Sequence, residues 1–152
     1  MTKEKFTELV LECEKTLYRV SMSMLKNETD CEDAVQTAIL AAYEKLDTLK
    51  NEEFFKTWLV RILINACNKQ LRTRTRVISI NEYTDTPAIS HDRDIDVKMA
   101  LEQLPVKIRE VVILYYIEDF SVKEISQIMQ IPSGTVKSRL SKGRKLLEIS
   151  ME

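Results

Sequence analysis

The chain has 152 residues, 44% hydrophobic and 31% charged, with 23 Lys and Arg against 24 Asp and Glu for a formal net charge of -1. That is enough apolar material for one or two small cores, and only 2 glycines and 3 prolines argue for long helices over a turn-rich β protein. No run approaches the roughly 18 apolar residues of a membrane span, and the charged start Met1-Thr2-Lys3-Glu4-Lys5 lacks the apolar stretch of a signal peptide, so a cytoplasmic address is expected.

Residues 4–25 place Phe6, Leu9, Val10, Cys13, Leu17, Val20 and Met24 at spacings of three and four, the stripe of one amphipathic helix. Thr29-Asp30-Cys31-Glu32 reads as a capping box opening a second helix, whose stripe is Val35, Ala38, Ile39, Ala42, Tyr43 and Leu46. Residues 47–53 read as a loop. A third helix is predicted from about Glu53 to Arg74, with Phe55, Trp58, Leu59, Ile62, Leu63 and Ala66 inward. Residues 77–95 break the pattern with a β-branched run, Thr86-Pro87 and an acidic cluster, and read as a linker between two domains, 1–76 and 96–152.

Periodicity resumes near Asp96. Ala100, Leu101 and Leu104 end a short helix, and Pro105 suits the first turn of the next, with Ile108, Val111, Val112 and Tyr115 inward. Ser121-Val122-Lys123-Glu124 is a second capping box, followed by Ile125, Ile128 and Met129. After a tight turn at 131–134 a last helix starts near Ser133, a residue able to cap it. On that helix Val136, Leu140, Gly143 and Leu147 project within about 60° of one another and form its buried face. Gly143 costs about 1 kcal/mol of helix propensity, which a closely packed neighbouring helix would explain.

The chemistry-bearing residues are sparse. Cys13, Cys31 and Cys67 form no CxxC pair and sit in apolar periodic segments, as small core residues do. His91 is the only histidine and stands in a polar stretch, as a solvated loop residue. No glycine-rich phosphate loop exists. No catalytic residue, metal site or cofactor is expected, and no small-molecule substrate.

The near-zero net charge hides segregation. Residues 1–53 carry 7 basic and 12 acidic side chains, whereas 54–81 and 133–147 carry no acid at all. Two acid-free basic blocks suggest two contacts with a polyanion; two solvated helix faces are the plainer alternative. The second block lies in a helix-turn-helix spanning 121–147, where Ser138, Ser141 and Lys145, flanked by Thr135, Lys137, Lys142 and Arg144, face away from the core. Short hydroxyls let such a helix approach a major groove, while Lys and Arg reach phosphates and guanine edges. On the first block Arg61, Asn65, Asn68 and Arg72 form one polar stripe behind Phe54, Phe55 and Trp58, a set better suited to an unstacked base than to duplex; Trp58 equally fits a core position.

Together these segments resemble a bacterial sigma factor of the extracytoplasmic-function (ECF) group in the sigma-70 family. Asp30-Cys31-Glu32-Asp33-Ala34-Val35-Gln36 is similar to a sigma domain 2 motif, Phe55 through Ile62 with Asn65 to the promoter-melting helix, and Leu104-Pro105 through Leu140 to sigma domain 4. The resemblance implies an all-α fold of two small helical domains and a transcription initiation factor without enzymatic activity. It implies that Thr135, Lys137, Ser138, Arg139, Ser141, Lys142, Arg144 and Lys145 serve the −35 element. Thr48, Leu49, Trp58, Arg61, Ile62, Asn65, Lys69 and Arg72 would then serve the −10 element, with Asn65 at a flipped base. Asp30, Glu32, Asp33 and Gln36 would face core RNA polymerase at its β′ clamp helices, with the β flap as a second contact. Implied partners are promoter DNA and an anti-sigma factor, membrane-tethered in many members. Cys31, Ile39 and Ser141 depart from residues common in the family, which leaves the promoter sequence open.

Two other readings fit the same residues. A stand-alone regulator would use the same helix-turn-helix as a dimer. An enzyme with a DNA-binding tail would need an acid pair, and Glu32 and Asp33 diverge by about 100° on a helix. The charge segregation also predicts weak binding of free promoter DNA, with the acidic half folded over or screening the basic helices.

Overall fold

The computed structural model describes residues 1–78 and 93–151. All its regular elements are helical: α1 (Lys3–Glu12), α2 (Glu14–Leu25), α3 (Glu28–Glu44), α4 (Phe55–Ile78), α5 (Arg93–Glu102), α6 (Val106–Val112), α7 (Val122–Met129) and α8 (Ser133–Met151). Single 3-10 turns at 46–48 and 52–54 occupy the segment expected to be a loop, and a π turn at 113–117 extends α6. None of the described helices is long and apolar enough to cross a membrane.

Local chemistry sets most boundaries. The first predicted helix is split at Cys13, whose side chain is buried while its backbone ends α1 and starts α2. The expected Thr29 capping box does not form; Asn27 caps α3 instead, its side chain accepting from the Asp30 backbone N–H at 3.0 Å. Asn, two residues earlier, is a better cap than Thr. At α7 the expected box is present in full: Ser121 accepts from the Glu124 N–H at 3.1 Å, and Glu124 accepts from the Ser121 N–H at 2.9 Å. With so few glycines, Lys26, Asp119 and Gln130 supply the left-handed backbone, at φ 59°, 61° and 56°. Lys26 and Gln130 end α2 and α7 in this way.

In the first half, α3 buries a row of small side chains, Cys31, Ala34, Ala38 and Ala42, and packs on α4, which buries Leu59, Leu63 and Cys67. Small residues let the two backbones approach closely. Of the expected inward residues, Trp58, Ile62 and Ala66 are half-buried, and Tyr43 is exposed with its ring edge against Phe6. In the second half, α6 packs on α8, and α7 on α8. Val136, Leu140 and Gly143 are buried as expected and Leu147 is half-buried, but Tyr115 turns outward on the π turn. A Cβ on Gly143 would stand 2.6 Å from Val112 Cγ2 and 3.1 Å from Ile108 Cγ2. The missing side chain is therefore what lets α6 and α8 touch.

The segment 77–95 was expected as a linker. Helix α4 runs through Ile78 and α5 begins at Arg93, so both ends of that segment are helical; its centre, with His91, lies outside the described residues. The two halves also touch. Helix α4 packs on α7 and α2 on α6. Val60 and Ile64, on a face of α4 not expected to be core, are buried.

One buried acid stands out on α6. Burial pushes the Glu110 carboxyl up to about 7, against the pull of Arg139, Arg109 and Lys107. In the unfolded chain it ionises near its ordinary 4.5. Below that pH both states hold the proton and nothing is lost. Between about 4.5 and 7 only the unfolded state gives the proton up freely, so stability falls as pH rises. Glu110→Gln is expected to stabilise the protein at pH 8, by up to about 3 kcal/mol, and to have little effect at pH 4.5. Urea unfolding at the two pH values measures this; an equal effect at both would remove Glu110 as the source.

Candidate nucleic-acid interface

The two acid-free blocks become two exposed helix faces. On α8, Lys137, Ser138, Lys142, Arg144 and Lys145 are exposed, and Thr135 and Ser141 half-buried, opposite the Val136–Leu140–Gly143 face. The fold that presents them is local. The α7 capping box, Ser126 Oγ donating to the Ile131 carbonyl at 2.6 Å, and the Pro132 carbonyl accepting from Thr135 and Val136 hold the turn before α8. Two cations are partly committed. Arg144 donates to the Tyr116 hydroxyl at 3.0 Å. Arg139 is half-buried at the edge of the packed face, within the electrostatic reach of Glu110. Arg139 is thus less available to a polyanion than its place in the block suggests.

On α4, Arg61, Asn65, Lys69 and Arg72 are exposed on one side, with Trp58, Ile62 and Asn68 half-buried beside them. The three aromatics at its start divide. Phe55 is core, stacked edge-on to Phe6 with centroids 5.8 Å apart. Trp58 leans on Phe55 at 5.8 Å and 49° and keeps part of its surface open. Phe54 is 57% exposed. Thr48 is exposed, its hydroxyl donating to the Lys45 carbonyl, and Leu49 is half-buried behind it. Such a surface offers cations, amides and an aromatic edge without a carboxylate, which suits a single strand with unstacked bases.

The acidic motif on α3 splits in two. Glu32, Asp33 and Gln36 are exposed on one face, which continues into Thr37 and Leu40. Leu40, at 60% exposure, was not singled out in the sequence; a lone apolar residue at the i+4 position of a polar stripe is the signal for it. Asp30 belongs elsewhere. It pairs with Arg74, while its backbone carbonyl accepts from Gln70 at 3.1 Å. Its first job is to tie α3 to α4. Among the described residues no group of three or more His, Cys, Asp or Glu could hold a metal ion.

The Sigma-70 region 2 family matches residues 9–77, and the Sigma-70 region 4 family residues 95–147. The chain is 31% identical to the RNA polymerase sigma factor SigV of Bacillus subtilis (strain 168), over 99% of this chain and 93% of that one. It is 27% identical to the ECF RNA polymerase sigma factor SigW of the same strain, over 95% and 88% of the two chains. Among solved structures, the sigma factor RpoE of Bartonella quintana, in co-crystals with the anti-sigma factor NepR, superposes with a TM-score of 0.84 at 28% identity over 97% of both chains. Carrying both regions in order and matching 93% of the length of a sigma factor, the chain belongs to the ECF group of RNA polymerase sigma factors, transcription initiation factors whose region 4 holds a DNA-binding helix-turn-helix.

Proposed function

We propose that this sigma factor divides promoter recognition between its two basic faces. Region 4, with residues 96–152, reads the −35 element as duplex through the exposed face of α8. Region 2, with residues 1–76, opens the −10 element and holds a displaced base against Asn65, Ile62 and Trp58, while Arg61, Lys69 and Arg72 hold strand phosphates. The observation that carries the reading is the pair of acid-free, exposed faces on α4 and α8 in an otherwise acid-balanced chain. Their chemistry differs in the way the two tasks do: hydroxyls among cations on α8, amides and an aromatic edge among cations on α4. The α3 face of Glu32, Asp33, Gln36 and Leu40 is the docking surface for the β′ clamp helices of core polymerase, with Asp30 acting through the orientation of α3. The β flap would meet region 4. An anti-sigma factor is the regulatory partner inferred from relatives such as RpoE, whose structure is a complex with one.

Run-off transcription from a promoter library, with purified core polymerase plus and minus this protein, tests the reading. Transcripts appearing only with the protein are expected, and aligning their promoters yields both elements. Tight binding of duplex by the protein alone, with no transcripts, would favour a stand-alone regulator. Within the same assay Asn65→Ala is expected to leave closed-complex binding within about twofold and to lower open-complex formation roughly tenfold or more, on the scale of one lost base contact. Permanganate footprinting of the −10 region reads the opening directly, and unchanged reactivity would remove Asn65 from the base pocket.

A further inference from the structure

Helix α6 does not simply end at Val112. A π turn carries it on over 113–117, the Glu118 N–H reaching the Ile113 carbonyl at 3.0 Å, and Tyr115 and Tyr116 stand on the surface of that turn. Such turns are rare and are frequent at functional sites. The two rings meet edge to face, with centroids 4.9 Å apart at 83°, which restrains both. Tyr116 is 49% exposed, and its hydroxyl accepts from Arg144 Nη1 at 3.0 Å. The glycine beside Arg144 explains the meeting. A Cβ on Gly143 would run into Val112, so α6 and α8 touch there. Tyr116, four residues beyond Val112, then arrives against Arg144, one residue beyond Gly143.

The contact leaves both partners with donors to give. A tyrosine hydroxyl that accepts one hydrogen bond still has its own proton to donate, and a guanidinium carries several N–H donors in one plane, of which this contact uses one. Two donor groups from different elements are thus set side by side, one of them charged. The long arginine is anchored before any ligand arrives, which spares part of the ordering cost of binding. Lys137, seven residues before Arg144 and so on the same side of α8, adds a second exposed cation. The shallow cleft that the two rings share with Asp119 and Glu124 has no described α8 residue in its lining, and its carboxylates repel an anion. The α8 edge of Tyr116 is the cationic one. A phosphate, with its tetrahedral oxygens, accepts donors converging from two directions, whereas a base edge accepts them in one plane. Arg144 also lies roughly three turns past the start of α8, far from the first residues of a recognition helix, which are the ones that reach base edges.

Resting on the −35 role proposed above for α8, we propose that Tyr116 and Arg144 form one phosphate-binding site, in which Tyr116 orients the Arg144 guanidinium and gives its own hydroxyl proton to the same phosphate of the promoter backbone. Tyr116 lies outside both basic blocks and carries no charge, so a count of cations passes over it. Backbone contacts set register and orientation on a duplex while base contacts specify sequence. The site therefore fixes where α8 lies along the groove. The α8 cations divide accordingly: Lys137, Lys142 and Lys145 supply mobile charge, and Arg144 supplies a fixed point.

Holoenzyme binding to −35 duplexes that carry a single uncharged methylphosphonate, moved along the backbone one position at a time, tests the site. On unmodified duplex Tyr116→Phe and Arg144→Ala are each expected to weaken binding about three- to tenfold, the scale of one hydrogen bond. Both are expected to shrink the methylphosphonate penalty at one and the same phosphate and to leave the other positions as in the wild type. Arg144→Ala should also lower the salt slope by about 0.9, whereas Tyr116→Phe, which removes no charge, should leave it unchanged. Wild-type affinity in Tyr116→Phe would overturn the site. So would a loss in that variant that is equal at every modified position, the mark of a residue acting through the fold, or an effect on a different phosphate from Arg144→Ala. If neither variant changes binding and neutralising Lys137, Lys142 and Lys145 does not either, the −35 role of α8 falls instead.

Discussion

Replacing Arg109 by alanine is expected to cost about 3–5 kcal/mol, from buried carbonyls that lose a charged donor and from the cavity left by a long side chain. Arg109 lies on α6 and is 5% exposed. Its guanidinium donates to the carbonyls of Ser23, of Glu102 at 3.3 Å and of Leu104 at 3.0 Å. The Ser23 and Glu102 carbonyls lie in the last turns of α2 and α5, where no intrahelical partner remains and the helix dipole favours a cation. One side chain therefore closes two helix ends and bridges the halves. Alanine takes this donor from the Ser23 and Leu104 carbonyls, leaves the Glu102 carbonyl to Lys26 Nζ alone at 3.2 Å, and opens the space of a long side chain. Lysine keeps the charge but offers a compact ammonium in place of a planar fork, and it is expected to recover less than half of the loss. Urea unfolding of the two variants measures this, and a loss under about 1 kcal/mol for Arg109→Ala would show that the halves hold together without it.

Neutralising Lys137, Lys142 and Lys145 together is expected to weaken holoenzyme binding to a −35 duplex roughly 100- to 1000-fold at about 0.1 M salt, because each lost phosphate contact removes about 0.9 from the salt slope. All three are exposed and free of the internal contacts that occupy Arg144 and Arg139. Binding measured across a salt series should show the slope fall by about 2 to 3. An affinity loss with the slope intact would mean that the lysines act through the fold of α8. An unchanged affinity would move the −35 contact off this face.

These two expectations draw on different kinds of information. The lysine face was legible because an acid-free run on a helix of known phase shows its outward side without any partner. Arg109 was not legible: in the sequence it is one more charge on a short amphipathic helix, and its acceptors at Ser23 and Glu102 lie 86 and 7 residues away. The same contrast divides the α3 motif. Glu32, Asp33 and Gln36 face outward, while Asp30 is taken up by Arg74, 44 residues on. Where the reading of a cap failed, two local candidates stood two residues apart, and the chain used Asn27, the stronger cap, over Thr29.

The sequence by itself determined the helical class, the capping box at Ser121 and Glu124, most of the buried face of α8 and the need for a small residue at Gly143, but not the break between α1 and α2. All of these depend on neighbours three or four positions away, where helical periodicity dictates which side chains meet. Only the tertiary structure decided that Val60 and Ile64 are core, that Asp30 and Arg139 are partly committed, and that Arg19 meets Glu118 across 99 residues. Amphipathic stripes show that a face will be covered without naming what covers it. The partner of a buried charge is set by which helix arrives opposite, and that is a property of the packed chain alone.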